Sequence, residues 1–362
     1  MRILIDINHP AHVHLFKNFA WVMQTRGHKV LFTTREKEIS HVLLENLGFE
    51  YICLGKHYKK ALGKLWGIVK YDVQLWGVAL KFKPDLFISM GSIYGSHASF
   101  LVGKPNILLQ DTEHATLQHK LTVPFCDVML NPVCFHRQLN PKKQMFYQGY
   151  HELAYLHKNY FEPDPAILDE LGVKPGEKFV IVRLVSWTAN HDVGHNGISL
   201  ENKIRAVKAF AQHARIFITS EDTLPEELKP YQIRIKPERV HHALYYASLL
   251  FGESATMASE CAMLGTPSIF LDNDGRGYTD EQEEKYQLVY NFTESLEDQE
   301  KAINKALEIL QMEDIKEEWA RRTEKMLEEK IDVTGFLVWF VENYPHSLKQ
   351  WRENPDYQYE FQ

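Results

Sequence analysis

Ile3-Leu-Ile-Asp-Ile7, followed by the polar stretch Asn8-His-Pro-Ala-His12 and then by apolar residues at Val13, Phe16, Phe19, Ala20 and Met23, decides the fold class. The first run has the length and side chains of a buried strand, the second has helical spacing, and Gly27 supplies a stop. Together they read as a β-loop-α unit. Working outward, the unit recurs: a strand at 30–34, a helix over 36–47 closed by Gly48, and strands at 51–54, 85–89, 106–109 and 127–130. Strands that alternate with helices predict a parallel sheet covered on both faces. Between 151 and 178, Pro163, Pro165, Pro175 and Gly176 interrupt the pattern. A second βα series opens at Lys178 and continues at 216–219, 249–251 and 268–271. The reading is therefore α/β with two doubly wound domains facing a cleft: residues 1–160, residues 161–333, and a segment 334–362 that begins with an apolar helix. That helix, with Phe336, Leu337, Trp339 and Phe340, is expected to cross back onto the first domain.

The 362 residues, 44% hydrophobic and 25% charged, exclude a disordered or fibrous chain. A formal charge of −7 excludes a chain-wide footprint for nucleic acid. The four cysteines form no CxxC pair, so neither a disulfide framework nor structural zinc is indicated, and a reducing cytoplasm is the expected location. The N-terminus reads as a core strand rather than a signal peptide. Residues 56–83 carry Lys56, Lys59, Lys60, Lys64, Lys70, Lys81 and Lys83 against Asp72, with Trp66 and Trp76 at helical spacing. Two readings stand: peripheral contact with anionic lipid, or a helix whose apolar stripe covers its own sheet.

In open α/β sheets ligands bind beyond the carboxyl ends of the strands, and the polar residues of this chain collect there. After the first strand come His9, His12 and His14; after the fourth, Ser92 and His97; after the fifth, Asp111, Glu113 and His114. His12 has the chemistry of a general base, since imidazole titrates near neutrality, although a loop histidine also serves as a plain hydrogen-bonding group. Asp111, Glu113 and His114 form an acid-imidazole group that offers an alternative base. His9, His14, Ser92 and His97 are lesser candidates on the acceptor side.

In the second half, Gly252-Glu-Ser254-Ala255-Thr256-Met-Ala-Ser-Glu260 places small residues where a strand gives way to a helix. Backbone N–H groups there, with the helix dipole behind them, suit a diphosphate, and Glu260 suits ribose hydroxyls. His191 and His195 stand four apart, a spacing that would pair them as metal ligands on a helix. Gly194 and Gly197 make the stretch a loop, so contacts to phosphate or sugar are preferred. Asp272-Asn273-Asp274 has a metal-binding DxD form but is read as a strand-end loop. No metal and no cofactor is expected.

Phe251-Gly-Glu-Ser-Ala-Thr-Met-Ala-Ser-Glu260-Cys-Ala-Met-Leu-Gly265-Thr-Pro267 resembles the donor-site motif of GT-B enzymes. Among these it is similar to the lipid-linked N-acetylglucosaminyltransferase of peptidoglycan synthesis and to UDP-N-acetylglucosamine 2-epimerase. His12 resembles the first-loop histidine of that transferase, and Pro84-Asp85-Leu-Phe-Ile-Ser-Met-Gly91 its PDxxxxxG stretch. Asp6-Ile-Asn-His-Pro-Ala-His-Val-His14, Asp111-Thr-Glu-His114, Gly149-Tyr-His-Glu-Leu-Ala-Tyr155 and Asn190-His-Asp-Val-Gly-His195 resemble an uncharacterised prokaryotic family of unknown function in the same superfamily, over nearly the whole chain. The first loop departs from the transferase, whose glycines are replaced here by Asn8-His9-Pro10-Ala11.

The resemblance implies a GT-B-like fold of two Rossmann-like domains, with the acceptor on the N-terminal side. It implies a nucleotide-sugar donor held by Ser254, Ala255, Thr256, Glu260, His191 and His195. The activity implied is glycosyl transfer, in polysaccharide biosynthesis, to a sugar or lipid-linked acceptor. Epimerisation or hydrolysis of a UDP-sugar, and non-catalytic binding of one, are the alternatives.

Overall fold

The computed structural model describes residues 1–36, 39–56, 61–185 and 195–362, with backbone alone for 61–66. In chain order the first run of elements is β1 Arg2–Asp6, α1 Pro10–Thr25, β2 Lys29–Glu36, α2 Ser40–Asn46, β3 Tyr51–Lys56, α3 Ala61–Phe82, β4 Leu86–Met90, α4 Ile93–Val102, β5 Asn106–Leu109, α5 Thr116–Thr122, β6 Val128–Pro132, β7 Gln144–Tyr147 and α6 Leu153–Leu156. The second run is α7 Ala166–Leu171, β8 Phe179–Leu184, α8 Leu200–Phe210, β9 Arg215–Ser220, α9 Val240–Tyr246, β10 Leu249–Gly252, α10 Ala255–Leu264, β11 Ser268–Leu271, α11 Gly277–Glu284, β12 Val289–Phe292, α12 Leu296–Leu310 and α13 Ile315–Leu327. Two helices close the chain, α14 Val333–Glu342 and α15 His346–Glu353.

The chain divides into two compact units, one of Met1–Tyr155 with Ile331–Gln362 and one of Leu156–Lys330. The first holds a seven-stranded parallel sheet in the order β3-β2-β1-β4-β5-β6-β7, the second a five-stranded parallel sheet in the order β12-β11-β10-β8-β9. In each sheet the chain starts on an inner strand, β1 or β8, builds first to one side and then returns to the other. The β-branched and leucine-rich runs are fully buried: Ile3, Leu4 and Ile5 in β1, and Phe179, Val180 and Ile181 in β8, are each 0% exposed. Such all-apolar strands need helices on both faces.

Helix starts and stops follow local chemistry. Pro10 occupies the first turn of α1, where its missing N–H costs nothing, and His9 accepts the Ala11 N–H (3.2 Å) as N-cap. Ser92 caps α4 through the Gly95 N–H (2.9 Å). Ser254 caps α10 through the Met257 N–H (3.3 Å), and Gly265, at φ +69°, ends it in the left-handed region that favours glycine. In the first unit, α14 packs against α1, and its Phe336 ring stacks on Tyr147 at 5.9 Å.

Two edge strands go beyond the elements read from sequence, β7 and β12. Each is four residues long and only part-buried, so neither leaves a sustained apolar run. In α3, Tyr71, Leu75 and Ala79 are buried against Leu4 and Phe87, while Val69, Val73, Trp76 and Leu80 are exposed on the outer side. Lys59 and Lys60, and the side chains of Lys64 and Trp66, lie outside the described residues. Among the described residues no helix is long and apolar enough to cross a membrane.

Candidate functional site

A doubly wound sheet opens a crevice where strand order reverses. In the first unit that point lies between β1 and β4, and it is occupied by a closed side-chain network. Asp6, at the end of β1, is 1% exposed. It accepts from Thr33 Oγ1 (2.7 Å), from Arg35 Nη1 (3.2 Å to Oδ2) and from the Ser92 hydroxyl. Arg35 is itself buried and donates through Nη2 to the Ile7 carbonyl (2.9 Å). Strands β1 and β2 and the cap of α4 are thus joined by one buried ion pair.

The titratable groups gather beside this network, at the end of β5. Asp111 Oδ2 accepts from His151 Nδ1 (3.1 Å) and Oδ1 from the Thr112 hydroxyl (2.9 Å). Burial opposes the Asp111 charge, yet His151, Thr112 and the nearby His12 together hold its carboxyl below the usual range. His12 is buried, and its ring centroid lies 5.9 Å from that of His9. The structure therefore brings together His9, His12 and Asp111, and adds His151, which lies in the short connection after β7.

The remaining acceptor-side candidates have other neighbours. His14 is buried with its ring 5.5 Å from Tyr155. Glu113 accepts the His136 N–H (3.3 Å), and burial raises its carboxyl above the ordinary value. His114 is half-buried in the turn before α5, its carbonyl accepting the Thr116 N–H (2.7 Å). His97 spends Nδ1 on Asp72 (2.9 Å) and Nε2 on the Leu121 carbonyl (3.0 Å), joining α4 to its helical neighbours.

In the second unit strand order reverses between β8 and β10, where the 252–256 junction lies. A Cβ at Gly252 would sit 2.1 Å from the Arg183 carbonyl oxygen, so only glycine lets the two strand ends approach. The next residue, Glu253, is 3% exposed and reaches across to the loop after β8. It accepts the Val185 N–H (2.9 Å) and the Ile198 N–H (2.6 Å), one on each side of residues 186–194. Glu294 reinforces the far side of the loop, accepting the Asn196 N–H (2.7 Å), the Gly197 N–H (2.8 Å) and His195 Nδ1. His191 lies outside the described residues.

Besides Glu294, His195 faces two more carboxyl oxygens, Asp272 Oδ1 at 3.6 Å from Nδ1 and Asp274 Oδ2 at 3.3 Å from Nε2. Burial works against its charge, but Glu294, Asp272 and Asp274 outweigh it and raise its pKa above the ordinary 6.5. His195, Asp272 and Glu294 offer ligand atoms that all lie within 4.8 Å of one another, a spacing open to a metal ion. Their oxygens are already engaged, however: Asp272 by Arg276 (3.2 Å) and the Asp274 N–H (2.8 Å), Glu294 by backbone donors.

Along α10, Ser254 and Thr256 are half-buried and Ala255 is buried at the helix start. Glu260 is 4% exposed and pairs with His241 Nε2 (2.9 Å). Sequence reasoning singled out neither His151 nor His241, Glu253 and Glu294 as site residues. His151 and Glu253 stand inside stretches quoted for resemblance, but their partners are 40 and 55 to 68 positions away.

Solved structures of similar fold include several with bound nucleotides. S. aureus MnaA, solved with UDP, superposes with a TM-score of 0.70 at 12% identity, covering 96% of this chain and 97% of that one. The Methanocaldococcus jannaschii UDP-GlcNAc 2-epimerase, solved with UDP-GlcNAc and UDP, gives 0.64 at 12% identity over 86% and 94%. The spinosyn rhamnosyltransferase SpnG with thymidine diphosphate gives 0.62 at 13% identity over 95% and 100%. At such identities these matches establish the fold, that of GT-B glycosyltransferases and the epimerase. An uncharacterised protein of Methanocaldococcus jannaschii, MJ0665, is 25% identical over 277 residues, 74% of this chain and 80% of that protein. The pattern of one family, described as "Protein of unknown function (DUF354)", matches residues 1–338, and the chain belongs to that family.

Proposed function

We propose that the protein is an enzyme acting on a nucleotide-diphosphate sugar, and that its reaction is glycosyl transfer. The observation that carries this reading is the β10–α10 junction at the point where the second sheet reverses its strand order. Ser254 there takes the Met257 N–H as cap, which leaves the Ala255 and Thr256 N–H groups as the first donors a diphosphate would meet. Glu253 and Glu294 accept the N–H groups of Val185, Ile198, Asn196 and Gly197, so their carboxylates are spent on holding the loop after β8.

The donor's diphosphate is stabilised as it leaves by those amides and by the helix dipole. An imidazole of the group at the ends of β1 and β5 takes the proton of the attacking hydroxyl. The acceptor, a sugar or a lipid-linked sugar, belongs to the first unit in this reading, and polysaccharide assembly is the matching process.

A panel of UDP, thymidine diphosphate, GDP and their sugars, read by thermal shift, tests it. A ligand at 100 times its dissociation constant adds about 2.7 kcal/mol of stability. A shift with one nucleotide, and sugar release that rises when an acceptor is added, is the expected result. Epimerisation would convert the donor without any acceptor, and absence of every nucleotide shift would defeat the reading.

A further inference from the structure

We propose that His151 is the proton acceptor of the reaction and that Asp111 is the residue that positions it. The inference rests on the nucleotide-sugar reading and assigns its acid–base step. His151 is 4% exposed, and its Nδ1 faces Asp111 Oδ2 at 3.1 Å. Its other nitrogen, Nε2, is buried and has no hydrogen-bond partner among the described residues. A buried polar atom left unpaired costs stability, so a fold that keeps one at the end of its sheet keeps it for a ligand.

The arrangement fixes which nitrogen is basic. An ionised Asp111 only accepts, so the Nδ1 of His151 must carry the hydrogen and Nε2 the lone pair. The second Asp111 oxygen is held by Thr112 (2.9 Å), which prevents the carboxylate from turning away. The Tyr147 hydroxyl, on a ring 6.1 Å from that of His151, is also buried without a partner among the described residues, as is Gln110 Nε2 at the end of β5. Donors and a bare acceptor thus occur together at the end of the β5–β7 side of the sheet.

The segment that carries His151 is rigidly tied. The Ile331 N–H donates to the Gln148 carbonyl (2.8 Å), and Thr334 Oγ1 and Asn18 Nδ2 both donate to the Ala154 carbonyl (2.7 and 2.9 Å). A Cβ at Gly149 would lie 2.8 Å from Val333 Cγ2, so the backbone there is seated directly on α14. Such support is what a preorganised base requires.

In the step itself, the oxygen of an acceptor hydroxyl or of water bonds to the anomeric carbon while the bond from that carbon to the diphosphate oxygen breaks. The electron pair leaves with the diphosphate, and the hydroxyl proton passes to His151 Nε2. The resulting imidazolium is stabilised through Nδ1–H by Asp111, which stays ionised.

The test uses the full chain with UDP-GlcNAc and a thymidine diphosphate sugar, reading nucleoside diphosphate release from pH 5 to 9. Affinity for free UDP and thymidine diphosphate is measured by calorimetry alongside. His151→Gln should lower release by about 10²- to 10⁴-fold while nucleotide affinity changes less than twofold. Asp111→Asn, which keeps the shape, should lower release and move its acidic limb to lower pH, a shift that loss of a merely structural contact would not produce. Added imidazole should restore part of the release in His151→Gly. Wild-type release no faster than that of His151→Gln overturns the assignment, as does an acidic limb unmoved in Asp111→Asn. A wild type that binds neither nucleotide overturns the parent reading instead.

Discussion

The two places where strand order reverses are built on opposite plans. In the first unit, Asp6, Thr33, Arg35 and Ser92 close the crevice with their own side chains, so the charges found there satisfy one another. In the second, the carboxylates of Glu253 and Glu294 hold backbone amides of the loop after β8, and Ser254 caps the start of α10 by accepting the Met257 N–H. A charge pair that is buried and complete serves packing; amides presented around a helix start serve an anion. The same topology therefore yields a sheet anchor in one unit and, in the proposed reading, a ligand seat in the other.

The largest effect should come from opening the anchor. Arg35→Met leaves Asp6 buried without its cation, and loss of one partner from such a pair costs about 3–5 kcal/mol. Chemical denaturation followed by a probe in the first unit should register it, with UDP affinity unchanged wherever the protein is folded. A loss below about 1 kcal/mol would mean that Thr33 and Ser92 suffice and that the anchor is not the ion pair.

Glu253→Gln should have a smaller effect on stability, about 1–3 kcal/mol, because one amide oxygen still accepts one of the two N–H groups. Here UDP affinity should fall as well, since Glu253 directly precedes the Ser254 cap of α10. Calorimetry on the two variants gives the comparison its sharpest form: stability alone is lost in one, stability and binding in the other. Equal UDP affinity in Glu253→Gln and the wild type would separate the clamp from the seat.

The smallest effect is a pH dependence. His195 has a raised folded pKa, so its contribution is complete below the ordinary 6.5 and is lost as pH rises through the folded value. Glu294 is opposed by burial but held lower by the Asn196 and Gly197 amides and His195, so its contribution is present above the ordinary 4.5 and fades as pH falls through its folded value. The melting temperature of the second unit should therefore be highest between about pH 4.5 and 6.5 and decline on the alkaline side. His195→Gln should flatten that alkaline decline, and an unaltered profile would show that His195 does not carry it.

How much of this was legible in the sequence varies with the range of the interaction. The β-loop-α pattern was plain because Ile3 to Ile7 and the Val13–Met23 stripe express their periods locally. Gly27 and Gly48 were legible for the same reason: a helix stop acts within one turn. Strands β7 and β12 were not, since four-residue edges gain their order from the neighbour they pair with. Arg35 lies just beyond the strand read at 30–34, and its pairing with Asp6 spans 29 positions. The pairing of Asp111 with His151 spans 40 positions, and Glu253 acts on backbone amides, which have no letter in the sequence.

The claim that a nucleotide diphosphate sits at the start of α10 is tested most directly by calorimetry of UDP with Ala255→Pro. Ala255 is the first helical residue and Ser254 before it is extended, at φ −111° and ψ 108°, so proline is accommodated there while one N–H is removed. The account predicts an unchanged helix and fold, and UDP binding weakened by about ten- to a hundredfold, as for a lost hydrogen bond to a charged group. Binding as tight as that of the wild type, in a folded Ala255→Pro protein, would place the diphosphate elsewhere and contradict the account.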